Sequence, residues 1–296
     1  MALAVRVQRW SRAAAEVVQR QGPQVGRVFA CSGRVIHVQT PAGRLLTVQG
    51  EGPLLTPLAL AVAEPVAALA TRLAAGALVG QAPCPPETAL CLHHAGAVAW
   101  DGYLAPLNLP ARAYREAACR LTAWLAAQLP ARGLAPVLLA LAGGRPALAP
   151  LAQRVYAVLA PLGQQREVAC WLEACTDLVG LGEGLTPAGD DLLVGMLAMW
   201  QAAGLLAGKA ALAAPWLKTV SPRTTALSAE FLRCALAGHF AEPLGRLVRA
   251  LLAPPDQPWL PLAQTLAGIG HSSGVDTLVG VALGATLVGL REEAAA

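Results

Sequence analysis

The chain has 296 residues, of which 55% are apolar and 14% are charged, and its formal net charge is +4 at pH 7. This length accommodates one large domain or two of about 100–200 residues each, and we expect two. The arginines are spread along the chain rather than clustered. The charge pattern therefore indicates no nucleic-acid partner and leaves small anions as candidate ligands.

The apolar composition raises the question of a membrane protein. The best candidate spans are residues 192–208, which include Gln201, and residues 275–290, which include Asp276. Both fall short of the roughly 20 uninterrupted apolar residues that a bilayer crossing needs. Helices that are apolar on all sides also fit the centre of a soluble bundle, and the N-terminus lacks the pattern of a secretory signal. We therefore predict a soluble, cytoplasmic protein without a membrane segment.

The cysteines are odd in number and scattered, without a Cys-x-x-Cys pair. This usage predicts buried free thiols rather than a disulfide framework or a zinc ribbon. The seven positions are Cys31, Cys84, Cys91, Cys119, Cys170, Cys175 and Cys234.

The N-terminal part of the chain contains short segments in which apolar and polar residues alternate. Such alternation, interrupted by glycine and proline, is typical of strands joined by turns. The predicted strands lie within residues 25–31, 34–40 and 44–51, and further strands are expected within 76–82 and 89–102. We interpret residues 1–109 as a β-containing N-terminal domain.

After residue 109 apolar residues recur three and four positions apart, which is the period of an amphipathic helix. The predicted helices lie at 111–129, 151–160, 166–179, 190–207, 224–237, 244–252, 260–267 and 275–290. We interpret residues 110–296 as a mostly α-helical domain, so the predicted fold class is α+β.

A glycine-rich and acidic segment, LGEGLTPAGDD at residues 181–191, precedes the apolar helix predicted at 190–207. Thr186 followed by Pro187 indicates a helix start, with threonine as the cap and proline at the first helical position. Asp190 and Asp191 then fall in the first turn. Glycines upstream allow a tight bend and a close approach to a ligand.

A second segment resembles the first one. GDDLLVG at residues 189–195 aligns with GVDTLVG at 274–280, so that Asp191 matches Asp276, and the second copy follows the polar string GHSS at 270–273. Two such helix starts would face one shared pocket if they are structurally equivalent. A similarity this short also arises by chance, and ordinary helix capping explains the aspartates, since acidic residues stabilise the first turn of any helix.

The segment between the two copies adds candidate ligand-binding side chains. Thr224 and Ser228 are one helical turn apart and are expected to share a face. Arg223 is a candidate counter-ion for phosphate or carboxylate, because guanidinium binds such groups with two parallel hydrogen bonds. His239 either titrates or simply ends the helix.

Several well-known catalytic motifs are missing from the sequence. The glycines at 182–184 are not followed by the Gly-Lys-Ser/Thr of a phosphate-binding loop. Neither the Gly-x-Ser-x-Gly turn of a serine hydrolase nor the His-Glu-x-x-His zinc helix is present.

Three segments, GLGEGLTPAGDDLLVG, TTALSAEFLRCALAGHFAEPL and GIGHSSGVDTLVGVALG, resemble in that order the signature blocks of a bacterial family. The family is that of the AllH-type subunit of oxamate carbamoyltransferase, and the resemblance covers about residues 178–290. It implies a multi-subunit enzyme of allantoin and purine catabolism that converts oxalurate and phosphate into oxamate and carbamoyl phosphate. The implied partners are an FdrA-type acyl-CoA-synthetase-like subunit and another carbamoyltransferase subunit.

From the residues themselves we assign candidate roles for such chemistry, with a small anion as substrate and no membrane or nucleic acid involved. The predicted catalytic residues are Asp190, Asp191, Asp276 and Arg223. The predicted substrate-binding residues are Gly182, Gly184, Thr186, Gly189, Thr224, Ser228, His239, His271, Ser272, Ser273 and Gly274. In this hypothesis the aspartates orient an amide NH₂ group or hold Mg²⁺. The alternatives are a non-catalytic assembly subunit and a stand-alone Mg-nucleotide-dependent enzyme.

Overall fold

The computed structural model of the protein describes residues 2–52, 55–107, 109–253 and 258–293. The chain divides into two compact units, one ending at Tyr103 and the other beginning at Leu104. The first is rich in strands and the second is helical, so the predicted α+β class is confirmed. The division into independently folding domains after residue 109 stays a prediction.

The first unit is built on a mixed β-sheet. The strands described are β1 (Leu3–Ser11), β2 (Gln24–Cys31), β3 (Val35–Gln39), β4 (Leu45–Gly50), β5 (Ala59–Val62), β6 (Leu78–Gln81), β7 (Leu90–His93) and β8 (Val98–Trp100). Their order is β5-β4-β3-β2-β6-β7-β1-β8, and β5 also pairs with β1. This extra pairing closes seven of the strands into a barrel, which removes sheet edges. The helices α1 (Arg12–Arg20) and α2 (Val66–Ala70) accompany the barrel.

The three strands predicted within 25–51 are confirmed as β2, β3 and β4, and β6, β7 and β8 lie within the two further segments. The strands β1 and β5 were not predicted. All residues of β5 are buried, so its short apolar run shows no alternation between two faces.

The expectation that all cysteines are buried free thiols is wrong. Cys84 and Cys91 form a disulfide bond. Among the free thiols, Cys175 and Cys234 are buried, whereas Cys31, Cys119 and Cys170 are exposed.

The second unit is a helical bundle. Its α-helices are α3 (Ala111–Gln128), α4 (Ala135–Leu141), α5 (Pro150–Leu159), α6 (Val168–Ala174), α7 (Ala188–Ala202), α8 (Ala210–Val220), α9 (Ala226–Leu236), α10 (Glu242–Leu252), α11 (Leu260–Ala267) and α12 (Ser273–Glu293). The helices α4 and α8 were not predicted. The helix α7 ends before the expected residue 207, since Gly204 adopts a φ of 73°, which an α-helix does not accommodate.

The centre of the bundle is α12, which packs against α7 and α3. Among the described helices, α12 is the one that is long and apolar enough to cross a membrane. However, 83% of its apolar segment is buried inside the protein. Such burial is typical of the core helix of a soluble protein.

Glycines allow α7 and α12 to lie unusually close together. A Cβ atom on Gly280 would lie 1.9 Å from the Leu192 carbonyl oxygen, and one on Gly195 would lie 2.1 Å from the Thr277 carbonyl oxygen. Further along the two helices, Gly284 packs against the backbone of Met196. Because the contacts advance in the same sense along both helices, α7 and α12 run parallel and their N-termini lie at the same end of the unit.

Candidate active site at two helix N-termini

The two glycine-acid segments meet in the structure, as expected if they form one pocket. The hydroxyl oxygens of Thr186, before α7, and Ser273, at the start of α12, are 3.1 Å apart. The N-terminus of a helix carries a partial positive charge and free amide groups. Two parallel helices therefore direct positive potential to one place.

An open cavity of about 1020 Å³ lies at this place. Its walls are the loop 180–188, the segment 271–273, and Leu151 and Arg154 of α5. Gly182 and Gly184 in the loop have φ values of 114° and 97°, which residues with a side chain rarely adopt. A Cβ on Gly182 would also lie 2.8 Å from the amide nitrogen of Ala188. The predicted substrate-binding residues Gly182, Gly184, Thr186, His271, Ser272 and Ser273 all line this cavity.

The start of α7 differs by one residue from the prediction. Pro187 is the N-cap rather than the first helical residue, and no side chain caps the helix. The hydroxyl of Thr186 is therefore not used as a cap and contacts the α12 segment instead.

Asp190 is held by hydrogen bonds inside the protein and is not among the described cavity walls. It is buried, with 1% of its surface exposed. Its carboxylate accepts hydrogen bonds from the amide of Gly180 at 2.9 Å, the hydroxyl of Ser228 at 2.8 Å and the hydroxyl of Thr224. Burial raises the pKa of Asp190, and these hydrogen bonds oppose the rise. Thr224 and Ser228 both bind Asp190, but they do not share a helical face as predicted, because Thr224 precedes α9, which begins at Ala226. Neither residue is among the described cavity walls.

Among the three buried aspartates, none of which is in the described cavity wall, Asp191 is the one that is hydrogen-bonded to two wall residues. It is 8% exposed, and the hydroxyls of Ser273 and Thr186 hydrogen-bond to it. Its Oδ2 atom has no hydrogen-bond partner among the described residues. Burial raises the pKa of Asp191 to about 8, because the two hydroxyls only partly compensate and the charges of Asp276 and Asp190 add to the rise. Asp191 is therefore mostly protonated at pH 7.

Asp276 occupies the matching position on α12 and is fully buried. Its Oδ1 accepts a hydrogen bond from the amide of Leu134 at 2.7 Å, whereas its Oδ2 has no partner in the described part of the chain. Burial raises the pKa of Asp276 to about 6, and hydrogen bonds from Leu134 and Ser272 and the charge of Arg132 limit the rise. Asp276 is therefore mostly ionised at pH 7.

The loop between α3 and α4 contributes to the site and was not predicted. A Cβ on Gly133 would lie 2.3 Å from Oδ1 of Asp276, so a glycine is required for the carboxylate to reach the amide of Leu134. The guanidinium of Arg132 donates to the carbonyl of His271 at 2.8 Å. A second cavity of about 600 Å³ lies over this loop and shares His271 and Ser272 with the first one.

Other predicted site residues lie elsewhere. Arg223 pairs with the carboxylate of Asp177 at 3.3 Å, and the amide of His239 donates to the carbonyl of Cys234 after the end of α9. Gly189 and Gly274 are packing positions, since a Cβ there would lie 2.1 Å from the Leu178 carbonyl oxygen and 1.7 Å from that of Leu266, respectively. None of these four residues is among the described cavity walls.

Arg154 is a cavity residue that sequence reasoning missed. The signal in the sequence was weak, namely that Arg154 is the one charged residue in the helical segment 151–160.

Metal binding was a second expectation for the site. Within the described ranges, no group of three or more His, Cys, Asp or Glu side chains is arranged to hold a metal ion. Since Mg²⁺ is often held by only one or two carboxylates together with substrate oxygens, Mg²⁺ binding by Asp190, Asp191 or Asp276 stays a prediction.

Comparison with known proteins gives one family match. Residues 178–285 match the family model described as oxamate carbamoyltransferase subunit AllH. No solved structure matches the chain. The matched residues include α7, α9 and the first half of α12, and hence both helix N-termini at the cavity. The family resemblance predicted from the three motifs is therefore confirmed over residues 178–285, and it supports the general role of a carbamoyltransferase subunit.

Proposed function

We propose that this protein is a catalytic subunit of a cytoplasmic oxamate carbamoyltransferase complex of allantoin and purine catabolism. The reaction converts oxalurate and phosphate into oxamate and carbamoyl phosphate. The observation that carries the proposal is the arrangement of the family-matched residues: two parallel helix N-termini, each with a buried aspartate, adjoin one cavity. The partners are an FdrA-type subunit and another carbamoyltransferase subunit.

The reaction requires a proton donor. The carbamoyl C–N bond of oxalurate breaks, a C–O bond to phosphate forms, and the proton of hydrogen phosphate finally resides on the oxamate nitrogen. An amide nitrogen is a poor leaving group unless it is protonated as the bond breaks. Asp191 is suited to this task because it holds a proton at pH 7 and is bonded to the cavity-lining hydroxyls of Thr186 and Ser273. A hydroxyl donates to the nitrogen, Asp191 reprotonates that hydroxyl, and the phosphate proton restores Asp191.

The reaction also develops negative charge on the carbamoyl oxygen as phosphate attacks. Amide groups that are fixed in position and directed at such an oxygen stabilise it more than water does. The cavity wall includes the glycine loop, Ala188 at the start of α7 and Ser273 at the start of α12, and we assign their amide groups to this role. The reaction involves no covalent intermediate with the protein, and Mg²⁺ is not assigned a role.

The direct test measures carbamoyl phosphate formation from oxalurate and phosphate by the complex reconstituted from all subunits. The double variant Asp191→Asn/Asp276→Asn is expected to lose at least about 100-fold in rate, as is typical when a general acid is removed. Asp177→Asn is the matched control, because this exposed carboxylate pairs with Arg223 away from the cavity walls. Unchanged activity of the double variant would show a non-catalytic assembly subunit instead.

Ligand binding separates the proposal from a nucleotide-dependent enzyme. Thermal unfolding of the isolated chain is compared with ATP, carbamoyl phosphate, oxamate and oxalurate, each with and without Mg²⁺. We expect stabilisation by oxamate or carbamoyl phosphate without Mg²⁺, because ligands that bind only the folded state raise its stability. Stabilisation by ATP alone would contradict the proposed function.

A further inference from the structure

The cavity walls contain few charged groups. In the described part of the chain the titratable side chains of the wall are Arg154, Glu183 and His271. Arg154 is the permanent cation among them, since arginine stays protonated at any physiological pH. An anionic substrate in this cavity therefore meets one guanidinium group.

The guanidinium of Arg154 is available for a ligand. The side chain is exposed and makes no hydrogen bond or ion pair with the residues that the structure describes. Leu151, one helical turn earlier, lines the same cavity, so this face of α5 is directed towards it. The neighbouring arginines differ: Arg132 binds the carbonyl of His271, and Arg223 pairs with Asp177.

We propose that Arg154 binds the anionic group of the substrate, a carboxylate or a phosphate, and so determines which small molecules the site accepts. The inference rests on the proposed function for the identity of the site. Arg154 lies outside residues 178–285, so the family match does not assign it. Guanidinium binds carboxylate and phosphate groups through two parallel charge-assisted hydrogen bonds, which fixes the orientation of the ligand as well as holding it.

The position of Arg154 complements the helix N-termini. The guanidinium on α5 and the starts of α7 and α12 line the same cavity, and the guanidinium takes the anion while the amide groups remain for the carbamoyl oxygen. This leaves the uncharged end of the substrate near the hydroxyls of Thr186 and Ser273, which are bonded to Asp191. Glu183 on the same wall repels anions, so binding depends on the cation.

The test is isothermal titration of the full chain with oxamate and, in a separate arm, with inorganic phosphate. Arg154→Gln is expected to weaken binding of the anion it holds at least about tenfold, which corresponds to the loss of one charge-assisted contact. Arg154→Lys is expected to restore part of the affinity, because the charge remains while the forked geometry is lost. Arg112→Gln is the matched control and is expected to leave binding unchanged, because Arg112 is exposed, pairs with Glu116 and is not among the described cavity walls. The arm in which affinity falls identifies whether Arg154 binds carboxylate or phosphate.

Two results would overturn the inference: no binding of either anion by the unmodified chain, or equal affinity in the unmodified chain and Arg154→Gln. The substitution is expected to leave thermal unfolding unchanged, since Arg154 has no partner among the described residues. The same experiments distinguish this inference from the proposed function. If the complex has no carbamoyl-transfer activity but its anion binding still depends on Arg154, the proposed function is refuted and the role of Arg154 is not.

Discussion

The starts of α7 and α12 have similar sequences but hold their aspartates differently. In both, a glycine packs against a leucine carbonyl, an aspartate two residues later is buried with one unpartnered oxygen, and a later glycine lies at the helix contact. Asp276 accepts a hydrogen bond from a backbone amide and lies near Arg132, whereas Asp191 is bonded to two hydroxyls and lies near two other carboxylates. The same local pattern thus produces two acids with pKa values of about 6 and about 8.

This difference shows that burial alone does not determine the protonation of a carboxyl group. Both groups are desolvated, which favours the neutral form. The neighbouring charges then act in opposite directions, with Arg132 lowering the pKa of Asp276 and the other aspartates raising that of Asp191. A proton donor and an ionised carboxylate consequently lie side by side at pH 7.

Separating the two helices should have the largest effect. In Gly280→Ala the new Cβ would lie 1.9 Å from the Leu192 carbonyl oxygen, so α7 and α12 must move apart. We expect the free energy of unfolding to fall by more than about 3 kcal/mol, because overpacking a core against backbone atoms is costly. Urea unfolding followed by circular dichroism measures this change.

Gly163→Ala is the matched control, since the nearest atom to its Cβ would be the Leu290 Cδ1 atom at 3.8 Å. Its expected change in unfolding free energy is within about 1 kcal/mol. Equal stability of the Gly280→Ala and Gly163→Ala variants would contradict the close contact of α7 and α12.

Removing the structural aspartate should have a smaller effect. Asp190→Ala leaves the donors of Gly180, Thr224 and Ser228 without their acceptor. We expect a loss of about 2–3 kcal/mol in the free energy of unfolding, because buried donors without partners destabilise the folded state. The same urea titration detects it.

Asp177→Ala serves as the control for Asp190→Ala, because Asp177 is exposed and its pair with Arg223 is solvated. Its expected change is within about 1 kcal/mol. If Asp190→Ala were as stable as Asp177→Ala, the assignment of Asp190 to a structural rather than a catalytic role would be wrong.

The sequence allowed the fold class, most strands of the first unit and the meeting of the two acidic segments to be predicted. The reason is local: alternation, helical periodicity and the repeated Gly-x-Asp pattern at 189–191 and 274–276 are all visible within short windows. The assignment of Thr224 and Ser228 to one helical face was wrong, because Thr224 lies before the start of α9.

The remaining features depend on contacts between distant parts of the chain. Leu134 reaches Asp276 across 142 positions, and nothing in the immediate sequence of Gly133 and Leu134 indicates this contact. Arg154 stands in an ordinary amphipathic helix, and Arg223 was preferred because it lies nearer to the motifs in sequence. The pairing of Arg223 with Asp177 instead follows from tertiary packing.

The central claim is that Asp191 supplies a proton at the shared mouth of α7 and α12, and its most direct test is the pH dependence of kcat/KM for the reconstituted complex. Because the pKa of Asp191 is raised to about 8, the acid is protonated below that pH and loses its proton above it. We expect kcat/KM for carbamoyl transfer from oxalurate to phosphate to fall as the pH rises through about 8, and Asp191→Asn to be about 100-fold slower and to lack this decline. An Asp191→Asn complex with the rate and the alkaline decline of the unmodified complex would contradict the account.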